Sequence, residues 1–461
     1  MEATEAPSAE NQASSKSAAN AMRLNAEQDA AVEMAVAAFK RSGAESAAYV
    51  LSGPAGTGKT TTLKAIIAAL ERRVVLLTPT GRAALRARQA SGFEASTIHR
   101  WLYTPVESEK TDTVQFVRKA DDQIQAGLDE VGGSSGINPL LVIDEASMIN
   151  REVWTDLSTT ARRFGLNMLL VGDGFQLPPV ERDRKVEPFS VFGEAFPTAA
   201  RVDLTEVFRQ ALDSPILRAA TELRLSSWGA AQGIFHAHLP AVESVGAAAI
   251  ELRQQRADAV VITYTNATRL GLNRTIRVGC GIPDDPEPGV GERAEPLLVR
   301  RNSYDLGVMN GEIIELESWK SPEFTAISRY DSSKSAAFRA AEIRDCRRHV
   351  PCLVVPAWIT GGEAFEKDLI QRALLLARRG IRQLKPGKTT DGEWIVAPGD
   401  YSFLRVHLGY AVTCHAAQGS EWASVIVVIE NALRMMTERD RLRWLYTAIT
   451  RGKTSVSWGI R

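Results

Sequence analysis

The stretch Gly53-Pro-Ala-Gly-Thr-Gly58-Lys59-Thr60 decides the fold of this chain. It matches the pattern G-x-x-x-x-G-K-[ST], follows a short apolar run at 47–52 and precedes an apolar helical pattern at 60–70. Glycines let the backbone wrap around phosphates, so that several N–H groups and the N-terminus of the next helix face the anion. In this pattern Lys59 places its charge on the phosphates and Thr60 is a ligand of Mg²⁺. The sequence therefore predicts a nucleotide-binding loop between a strand and a helix.

Two acidic residues follow a later apolar strand of the same unit. Leu140-Leu-Val-Ile143 is followed at once by Asp144 and Glu145. The carboxyl ends of parallel strands meet at one edge of a sheet, so we expect both acids beside the phosphate loop. Asp144 is then expected to hold Mg²⁺ through water, and Glu145 to orient and deprotonate the attacking water. These residues predict hydrolysis of a nucleoside triphosphate, with ATP and Mg²⁺ as cofactors.

Short apolar strands alternate with helical patterns along most of the chain. The strands are expected at 47–52, 74–77, 140–143 and 168–171 in a first unit, and at 259–264, 424–429 and 455–459 in a second unit. Continuous apolar strands separated by helices are typical of parallel sheets covered by helices on both faces. The sequence therefore predicts an α/β fold with two parallel-sheet domains.

The composition limits the class of protein. A chain of 461 residues is too long for one core, because packed cores stop growing at roughly 250–300 residues. Lys and Arg number 55, as do Asp and Glu, so a nucleic-acid site has to be a local groove and not a wholly basic surface. No apolar run approaches the roughly 20 residues that span a membrane. Four cysteines without a C-x-x-C pair argue against a disulfide framework and favour an intracellular protein.

Three further polar residues predict that the two units work together. Gly172-Asp-Gly-Phe-Gln176 follows the strand at 168–171, and Gln176 is expected to sense the γ-phosphate. Arg209 and Arg451 lie in the second unit. Arginines that a second domain delivers to a nucleotide on the first couple hydrolysis to domain closure. Each arginine alone is more often an ordinary surface residue, so the motor hypothesis depends on the whole set.

Together these blocks resemble those of superfamily 1 helicases, and within them the RecD-like and phage Dda-like enzymes of subgroup B. The resemblance covers roughly residues 24–458. The block at 24–28 resembles the adenine-reading motif of the family, with Gln28 as the base reader. The block at 412–421 resembles the T-x-H-x-x-Q-G block, although Ala416 stands where relatives often have a basic residue.

The resemblance implies a role for each matching residue. Catalytic roles fall on Lys59, Glu145, Gln176, Arg209 and Arg451. Nucleotide contacts are implied for Gln28, Gly53, Ala55, Gly56, Thr57, Gly58, Lys59, Thr60, Thr61, Asp144, Gln176, Arg209, Gly419, Glu421 and Arg451, with Thr60 and Asp144 as the Mg²⁺ ligands. DNA contacts are implied for Thr80, Arg82, Thr97, His99, Tyr264, Asn266, Thr413 and His415.

Two segments interrupt the alternation of strands and helices. Residues 103–138 occupy the place where relatives carry a small hairpin, the pin, which splits the duplex. Phe116 is the best apolar residue for its tip, where its ring would stack on the last base pair. A second interpretation, in which Phe116 anchors the hairpin on its own domain, stays open. Residues 289–408 resemble the SH3-like β-barrel insertion of the family, with extra helical material in a basic stretch at 372–388.

The resemblance also implies a domain organisation with two RecA-like domains. Residues 1–21 form a disordered tail, 22–102 and 139–205 form the ATP-binding domain 1A, and 103–138 form the pin insertion 1B. Residues 206–288 and 409–461 form domain 2A, and 289–408 form the insertion 2B.

The resemblance implies an ATP-dependent DNA helicase that moves 5′→3′ on single-stranded DNA and unwinds duplex DNA in replication, recombination or repair. Its expected partners are single-stranded and forked duplex DNA, together with a single-strand-binding protein or replication and recombination proteins. It is expected to work as a monomer in the cytoplasm of a bacterial or phage-infected cell, with no membrane partner. The alternative is an ATP-gated module that binds or remodels single strands with little unwinding of its own. A small-molecule kinase would leave Gln176, Arg209 and Arg451 without a role.

Overall fold

The computed structural model describes residues 24–41, 46–108, 113–132, 138–179, 189–194, 200–207, 213–255, 258–283, 289–300, 302–303, 306–327, 335–344, 352–354 and 402–461. The predicted tail, Arg209 and the basic stretch at 372–388 lie outside these residues. Within these ranges no helix combines the length and the apolar character that crossing a membrane requires.

The secondary structure follows the alternation that the sequence predicts. The strands are β1 Ala48–Ser52, β2 Val74–Thr78, β3 Ala95–Thr97, β4 Tyr103–Ser108, β5 Thr113–Arg118, β6 Leu140–Ile143, β7 Met168–Gly172, β8 Ala200–Asp203, β9 Ala259–Thr263, β10 Leu297–Val299, β11 Ile313–Ile314, β12 Leu316–Ile327, β13 Ser335–Ile343, β14 Cys352–Val354, β15 Ser402–Phe403, β16 Val406–Leu408, β17 Ala411–Thr413, β18 Trp422–Ile429 and β19 Gly452–Ile460. The helices are α1 Ala26–Arg41, α2 Lys59–Leu70, α3 Gly81–Ser91, α4 Ile98–Leu102, α5 Asp121–Gly132, α6 Arg151–Arg163, α7 Val191–Glu194, α8 Pro215–Leu225, α9 Trp228–His238, α10 Val245–Gln254, α11 Asn266–Gly279, α12 Cys414–Ala417 and α13 Glu438–Ile449.

The first domain is a six-stranded parallel sheet in the order β3-β2-β6-β7-β1-β8. Its central strands β1, β6 and β7 are buried along their whole length, because helices cover both faces of the sheet. The order places β6, β7 and β1 side by side, so their carboxyl ends lie at one edge. The phosphate loop, the acid pair and the Asp173 segment all start from this edge.

The second domain is a four-stranded parallel sheet in the order β17-β9-β18-β19. Its strands β9 and β18 are rich in Val and Ile and are largely buried, as the apolar runs predict. α13 packs against β18 and β19 and buries Trp444, Leu445 and Tyr446. The prediction of two parallel α/β units is confirmed.

The segment predicted as the pin divides into two parts. β4 and β5 form an antiparallel hairpin in which Pro105 faces Phe116. The helix α5 that follows buries Ile124 and Leu128 in the core of the first domain. The strands of the hairpin therefore take up residues 103–108 and 113–118, and the helix at 121–132 belongs to the first domain.

Small, mainly antiparallel sheets interrupt the second domain where the sequence predicts an insertion. β10 lies between β11 and β16, and its residues share an apolar core with Leu272 and Ile276 of α11. β12 and β13 form a long antiparallel hairpin that continues through β14 to β15. The SH3-like barrel stays a prediction, since most of 328–401 lies outside the described residues.

The two domains are joined by residues 173–177, which lead away from β7. Leu177 is 1% exposed and belongs to the apolar core of the second domain, together with Trp444 and Ile449. Its N–H donates to Thr447 Oγ1 at 2.9 Å and its carbonyl accepts from Gln418 Nε2 at 2.9 Å. The first domain thus contributes a core residue to the second.

A fully buried ion pair fixes the insertion to the second sheet. Arg277 of α11 places Nε 3.0 Å from Glu295 Oε1, and both side chains are 0% exposed. Glu295 also accepts hydrogen bonds from Tyr410 Oη at 3.1 Å and from the Gly289 N–H at 2.7 Å. Burial raises the pKa of Glu295 against the opposing effect of these donors and Arg277, so the carboxylate depends on them for its charge.

Replacing Arg277 tests this anchor. Arg277→Met keeps most of the side-chain volume but leaves Glu295 buried without its cation, which typically costs about 3–5 kcal/mol of the free energy of unfolding. Urea unfolding followed by circular dichroism measures the loss. The matched control is Arg88→Ala, which breaks the Arg88–Glu94 pair with side chains 58% and 80% exposed and should cost less than about 1 kcal/mol. Equal losses in the two variants would contradict the anchor.

Candidate nucleotide site and nucleic-acid interface

The phosphate loop takes its shape from its glycines. Gly56 and Gly58 have φ angles of 84° and 75°, in the left-handed region that side chains other than glycine rarely adopt. A Cβ on Gly53 would lie 2.8 Å from Thr57 Oγ1 and 3.0 Å from the Leu204 carbonyl oxygen, so this position has no room for one. The loop then enters α2, whose free N–H groups point toward the space that a phosphate would occupy.

Lys59 and Gln28 hold the loop from its two sides. Lys59 Nζ donates to the carbonyl oxygens of Gly53 and Pro54, each at 2.8 Å. Gln28 is 0% exposed and its Nε2 donates to the Thr57 carbonyl at 3.1 Å. Its Oε1 accepts from the Asn25 N–H at 3.1 Å, while Asn25 Oδ1 accepts from the Gln28 N–H at 2.8 Å. This reciprocal pair is a capping box, and it makes Gln28 a support of the phosphate loop.

The acid pair lies at the end of β6 with both side chains half-buried. Burial, and then the neighbouring charge of Glu145, raise the pKa of Asp144 to about 6 against the opposing effects of the Glu145 N–H, Lys59 and Arg86. Glu145 has a φ of 53°, so the chain turns sharply between the two acids. A pair of close carboxylates that disfavours its own ionisation is suited to a divalent cation.

Thr60 and Asp144 fit the two protein ligands of a Mg²⁺ ion. Thr60 stands exposed at the first turn of α2, and among the described residues Asp144 has no ion pair that would compete. The ion would neutralise charge on the phosphate oxygens when bound. The carboxylate of Glu145 is next to Asp144 but is carried by the turned part of the chain, and its role in orienting a water stays a prediction.

Gln176 lies at the contact between the domains. It is 8% exposed, and its Oε1 is a buried acceptor with no hydrogen-bond partner among the described residues. A buried acceptor without a donor is costly, and a water molecule at the nucleotide would satisfy it. The predicted sensing role of Gln176 stays a prediction.

The guanidinium of Arg451 is hydrogen-bonded within its own domain. It is 3% exposed, and its guanidinium donates to the carbonyl oxygens of Thr447 at 3.1 Å and Ser420 at 3.3 Å and to Thr450 Oγ1 at 3.2 Å. An arginine finger in this position has to leave these oxygens before it reaches a nucleotide. The other predicted finger, Arg209, lies outside the described residues.

The loop with Gly419 and Glu421 contacts the first domain away from the phosphate loop. A Cβ on Gly419, whose φ is 73°, would lie 2.9 Å from Thr80 Oγ1. Glu421 forms an ion pair with Arg86 of α3 and lies 3.9 Å from Lys453. Glu421 is therefore held by cations and the structure does not bring it to the phosphate loop, contrary to the nucleotide contact that the resemblance implies.

The predicted DNA residues of the first domain differ in their exposure. Thr80 caps α3 by accepting from the Ala83 N–H at 3.2 Å. Arg82 donates to the carbonyl oxygens of Gly311 at 2.9 Å and Glu421 at 3.1 Å, so its guanidinium joins the domains and is not free for a phosphate. Thr97 is buried at 4% exposure as the cap of α4, which removes its side chain from the surface. The predictions that Arg82 and Thr97 contact DNA are therefore corrected by this structure.

His99 and Phe116 form an exposed aromatic edge at the base of the hairpin. The two rings lie 5.9 Å apart at 82°, and Tyr103 lies 5.4 Å from His99. Phe116 is 53% exposed. It stands in the body of β5 opposite Pro105 and not at the turn, so the prediction that it forms the tip is wrong, whereas its exposure disfavours a role as a buried anchor.

The predicted DNA residues of the second domain lie at the ends of β9 and β17. Tyr264 is half-buried, with its ring 6.2 Å from that of Trp444, and Asn266 is exposed at the start of α11. Thr413 caps α12 and His415 follows it. Burial lowers the pKa of His415, so its imidazole is neutral at pH 7 and brings no charge to a phosphate.

Two important residues were missed by the sequence analysis. Glu430, at the end of β18, accepts from the Tyr264 and Thr265 N–H groups at 2.6 and 3.1 Å and from two threonine hydroxyls. Tyr446 Oη accepts from the Ala55 N–H of the phosphate loop at 3.0 Å. Tyr446 stands inside a block that the sequence analysis singled out for Arg451, but no pattern indicated its partner 391 residues away.

A phosphate loop and an acid pair lie at one edge of a parallel sheet, and helix α13 of a second parallel α/β domain is hydrogen-bonded to that edge. These features define the class as a phosphate-loop protein with two α/β domains. A family model described as an AAA domain matches residues 23–238, and one described as a UvrD-like helicase C-terminal domain matches residues 408–457. These matches support the predicted resemblance of the chain to superfamily 1 helicases of subgroup B.

Two curated relatives are similar to this chain. It is 28% identical over 412 residues to the ATP-dependent RecD2 DNA helicase of Deinococcus radiodurans, covering 88% of this chain and 46% of the relative. It is 33% identical over 186 residues to the ATP-dependent DNA helicase dda of Enterobacteria phage T4, covering 39% of this chain and 38% of the relative. The chain thus spans less than half the length of either relative.

One solved structure shares the fold. The crystal structure of Bacteroides Pif1 bound to ssDNA matches with a TM-score of 0.53 and 16% identity, over 95% of this chain and 92% of that chain.

The role of Glu145 is testable by removing its charge. Glu145→Gln should leave ATP binding near that of the wild type and reduce hydrolysis to a background level, because the amide cannot accept a proton from water. Binding of a fluorescent ATP analogue and phosphate release measure the two steps. Glu33→Gln, on the exposed face of α1, is the matched control and should change neither. Loss of nucleotide binding in Glu145→Gln would assign Glu145 to the structure of the site and not to catalysis.

Proposed function

We propose that this chain is an ATP-dependent DNA helicase, which hydrolyses ATP with Mg²⁺ to move along single-stranded DNA and unwind duplex DNA. The observation that supports the proposal is the hydrogen-bonded contact between the two domains at the phosphate loop. Helix α13 of the second domain contacts that loop through Tyr446. It contacts residues 173–177, which we call the sensor segment, through Thr447. A change at the nucleotide therefore alters the position of one domain against the other, which is the elementary step of a motor.

The proposed path of the single strand crosses both domains at the carboxyl ends of their strands. In the first domain it uses Thr80 and His99, and in the second it uses Tyr264, Asn266, Thr413 and His415. Side chains of these types hold the backbone or stack on bases without reading the sequence. Arg82 joins this set only in a state where it has released Gly311 and Glu421.

The proposed direction of movement is 5′→3′, and the proposed settings are replication, recombination and repair in the cytoplasm of a bacterial or phage-infected cell. The support is the similarity to relatives whose names describe them as ATP-dependent DNA helicases. The proposed partners are forked DNA and a single-strand-binding protein, and the proposed active form is a monomer.

Unwinding of forked duplexes with a single 5′ or a single 3′ tail tests activity and direction in one experiment. With ATP and Mg²⁺, the 5′-tailed duplex should be separated and the 3′-tailed duplex should remain paired. Lys59→Ala is the control, since it removes the phosphate-binding charge from a partly exposed site and no core volume. Unwinding from the 3′ tail would overturn the direction. ATP-dependent binding of single strands without separation of either duplex would favour the remodelling module.

The exposed ring of Phe116 generates a separate prediction about the fork. Phe116→Ala should slow duplex unwinding several-fold, because the ring replaces base stacking lost at the fork and such stacking is worth about 1–3 kcal/mol per base. ATPase activity on single strands and thermal stability should stay near those of the wild type, since the ring is 53% exposed.

The neighbouring residue Val117 supplies the matched control for this experiment. Val117 is 48% exposed on the same strand, and successive residues of a strand point to opposite faces. Val117→Ala should therefore leave unwinding unchanged. Equal unwinding by wild type and Phe116→Ala would exclude Phe116 from the fork, and a joint fall of stability and all activities would identify it as an anchor.

A further inference from the structure

The hydroxyl of Tyr446 occupies the junction between the phosphate loop, the sensor segment and the second domain. Its Oη accepts from the Ala55 N–H at 3.0 Å and donates to the carboxylate of Asp173 through a short hydrogen bond. Tyr446 and Asp173 are 1% and 2% exposed. One hydroxyl thus joins three segments that are far apart in the chain.

The carboxylate of Asp173 is fully engaged by this arrangement. Its second oxygen, Oδ1, accepts from the Phe175 N–H at 2.9 Å. The Phe175 ring meets the Tyr446 ring edge-on, with centroids 5.2 Å apart at 89°. Burial and the charge of Asp173 raise the pKa of Tyr446 well above its ordinary value, so the hydroxyl keeps its proton and stays a donor at every working pH.

The same face of α13 makes further contacts with the sensor segment. Arg443 Nη2 donates to the Gly174 carbonyl at 3.3 Å, and Thr447 Oγ1 accepts from the Leu177 N–H at 2.9 Å. These residues lie one helical turn apart on either side of Tyr446. The helix ends at Ile449, two residues before Arg451. A displacement of α13 therefore moves the sensor segment and the arginine together.

We propose that Tyr446 is a positioning residue of the hydrolysis reaction, whose hydroxyl sets the phosphate loop at Ala55 and the carboxylate of Asp173 in register with α13. This inference rests on the proposed function, because it assigns Tyr446 to ATP hydrolysis. Tyr446 acts through Ala55 and Asp173 and not on the nucleotide itself. Precise placement of groups around a reacting bond accelerates hydrolysis more than it strengthens binding, so the hydroxyl should affect kcat more than KM.

Tyr446→Phe removes the hydroxyl and keeps the ring against Phe175. A hydrogen bond to a charged group is strong, and its loss here should lower the kcat of DNA-stimulated ATP hydrolysis by about ten- to a hundredfold. The KM for ATP should change by less than about threefold, because one N–H of a loop with many donors loses its partner. A normal kcat, or a rise in KM that alone accounts for the lost activity, would overturn the proposal.

Tyr49→Phe is the matched control. Tyr49 is 0% exposed and its hydroxyl donates to the Ala31 carbonyl at 2.9 Å, on the side of β1 that faces α1 and away from the second domain. It removes a buried hydroxyl that makes one hydrogen bond, whereas the hydroxyl of Tyr446 makes two. A lower melting temperature in both variants, with a kcat lowered only in Tyr446→Phe, would support the proposal. A kcat lowered equally in both variants would assign the effect to general destabilisation and overturn it.

A double variant tests whether Tyr446 acts through Asp173. Asp173→Asn keeps an acceptor for the Phe175 N–H but removes the charge that accepts the hydrogen bond of the tyrosine hydroxyl. If the two residues act as one unit, the double variant should lose no more than about twofold beyond Tyr446→Phe alone. If the kcat losses of the two single variants multiply in the double variant, Tyr446 and Asp173 act independently. That result would overturn the proposed pairing.

Hydrogen exchange separates a failure of this inference from a failure of the proposed function. The Ala55 amide is protected by Tyr446 Oη without any nucleotide, so Tyr446→Phe should speed its exchange at least about tenfold even if the chain hydrolyses no ATP. A wild type without ATPase activity would defeat the proposed function and leave the exchange result standing. Unchanged exchange at Ala55, in a wild type that hydrolyses ATP, would overturn the role of Tyr446.

Discussion

Leu177 leaves the edge of the first sheet and is buried in the apolar core of the second domain, bracketed by hydrogen bonds to Thr447 and Gln418. Exposing this side chain would cost on the order of 2 kcal/mol in transfer free energy, before the two hydrogen bonds are counted. The contact holds the sensor segment on α13. Because α13 also meets the phosphate loop through Tyr446, the placement of the whole nucleotide site depends on this one insertion.

Local patterns were sufficient to predict the sheets and the nucleotide-binding elements. The strand at 140–143 was predicted to the residue, and the phosphate loop follows β1 as its glycines require. In each case the cause is a periodicity or a spacing within about ten residues, which one sequence displays directly.

Contacts between segments that are distant in the chain could not be predicted from the sequence. Arg82 was expected on DNA, but its guanidinium binds two carbonyl oxygens of the second domain, and main-chain oxygens leave no trace in a residue pattern. Nothing in the sequence distinguishes Glu430 from the other acidic residues. In the structure, its position at the end of β18 lets its carboxylate accept from the Tyr264 N–H. Phe116 was assigned to a hairpin tip because the sequence shows apolar alternation but not the register that pairs it with Pro105.

The loop at 418–421 connects the nucleotide side of the molecule to its DNA side. Gln418 binds the Leu177 carbonyl, while Gly419 approaches the cap of α3 so closely that a Cβ would lie 2.9 Å from Thr80 Oγ1. Arg82 of α3 donates to the Glu421 carbonyl, and Arg86 of α3 forms an ion pair with the Glu421 carboxylate. A loop this tightly packed cannot absorb a shift of the second domain internally, since packed groups move as units. Any movement of α13 against the phosphate loop must therefore displace Thr80 and Arg82 relative to the second domain, and the residues proposed to hold the DNA strand are the ones displaced.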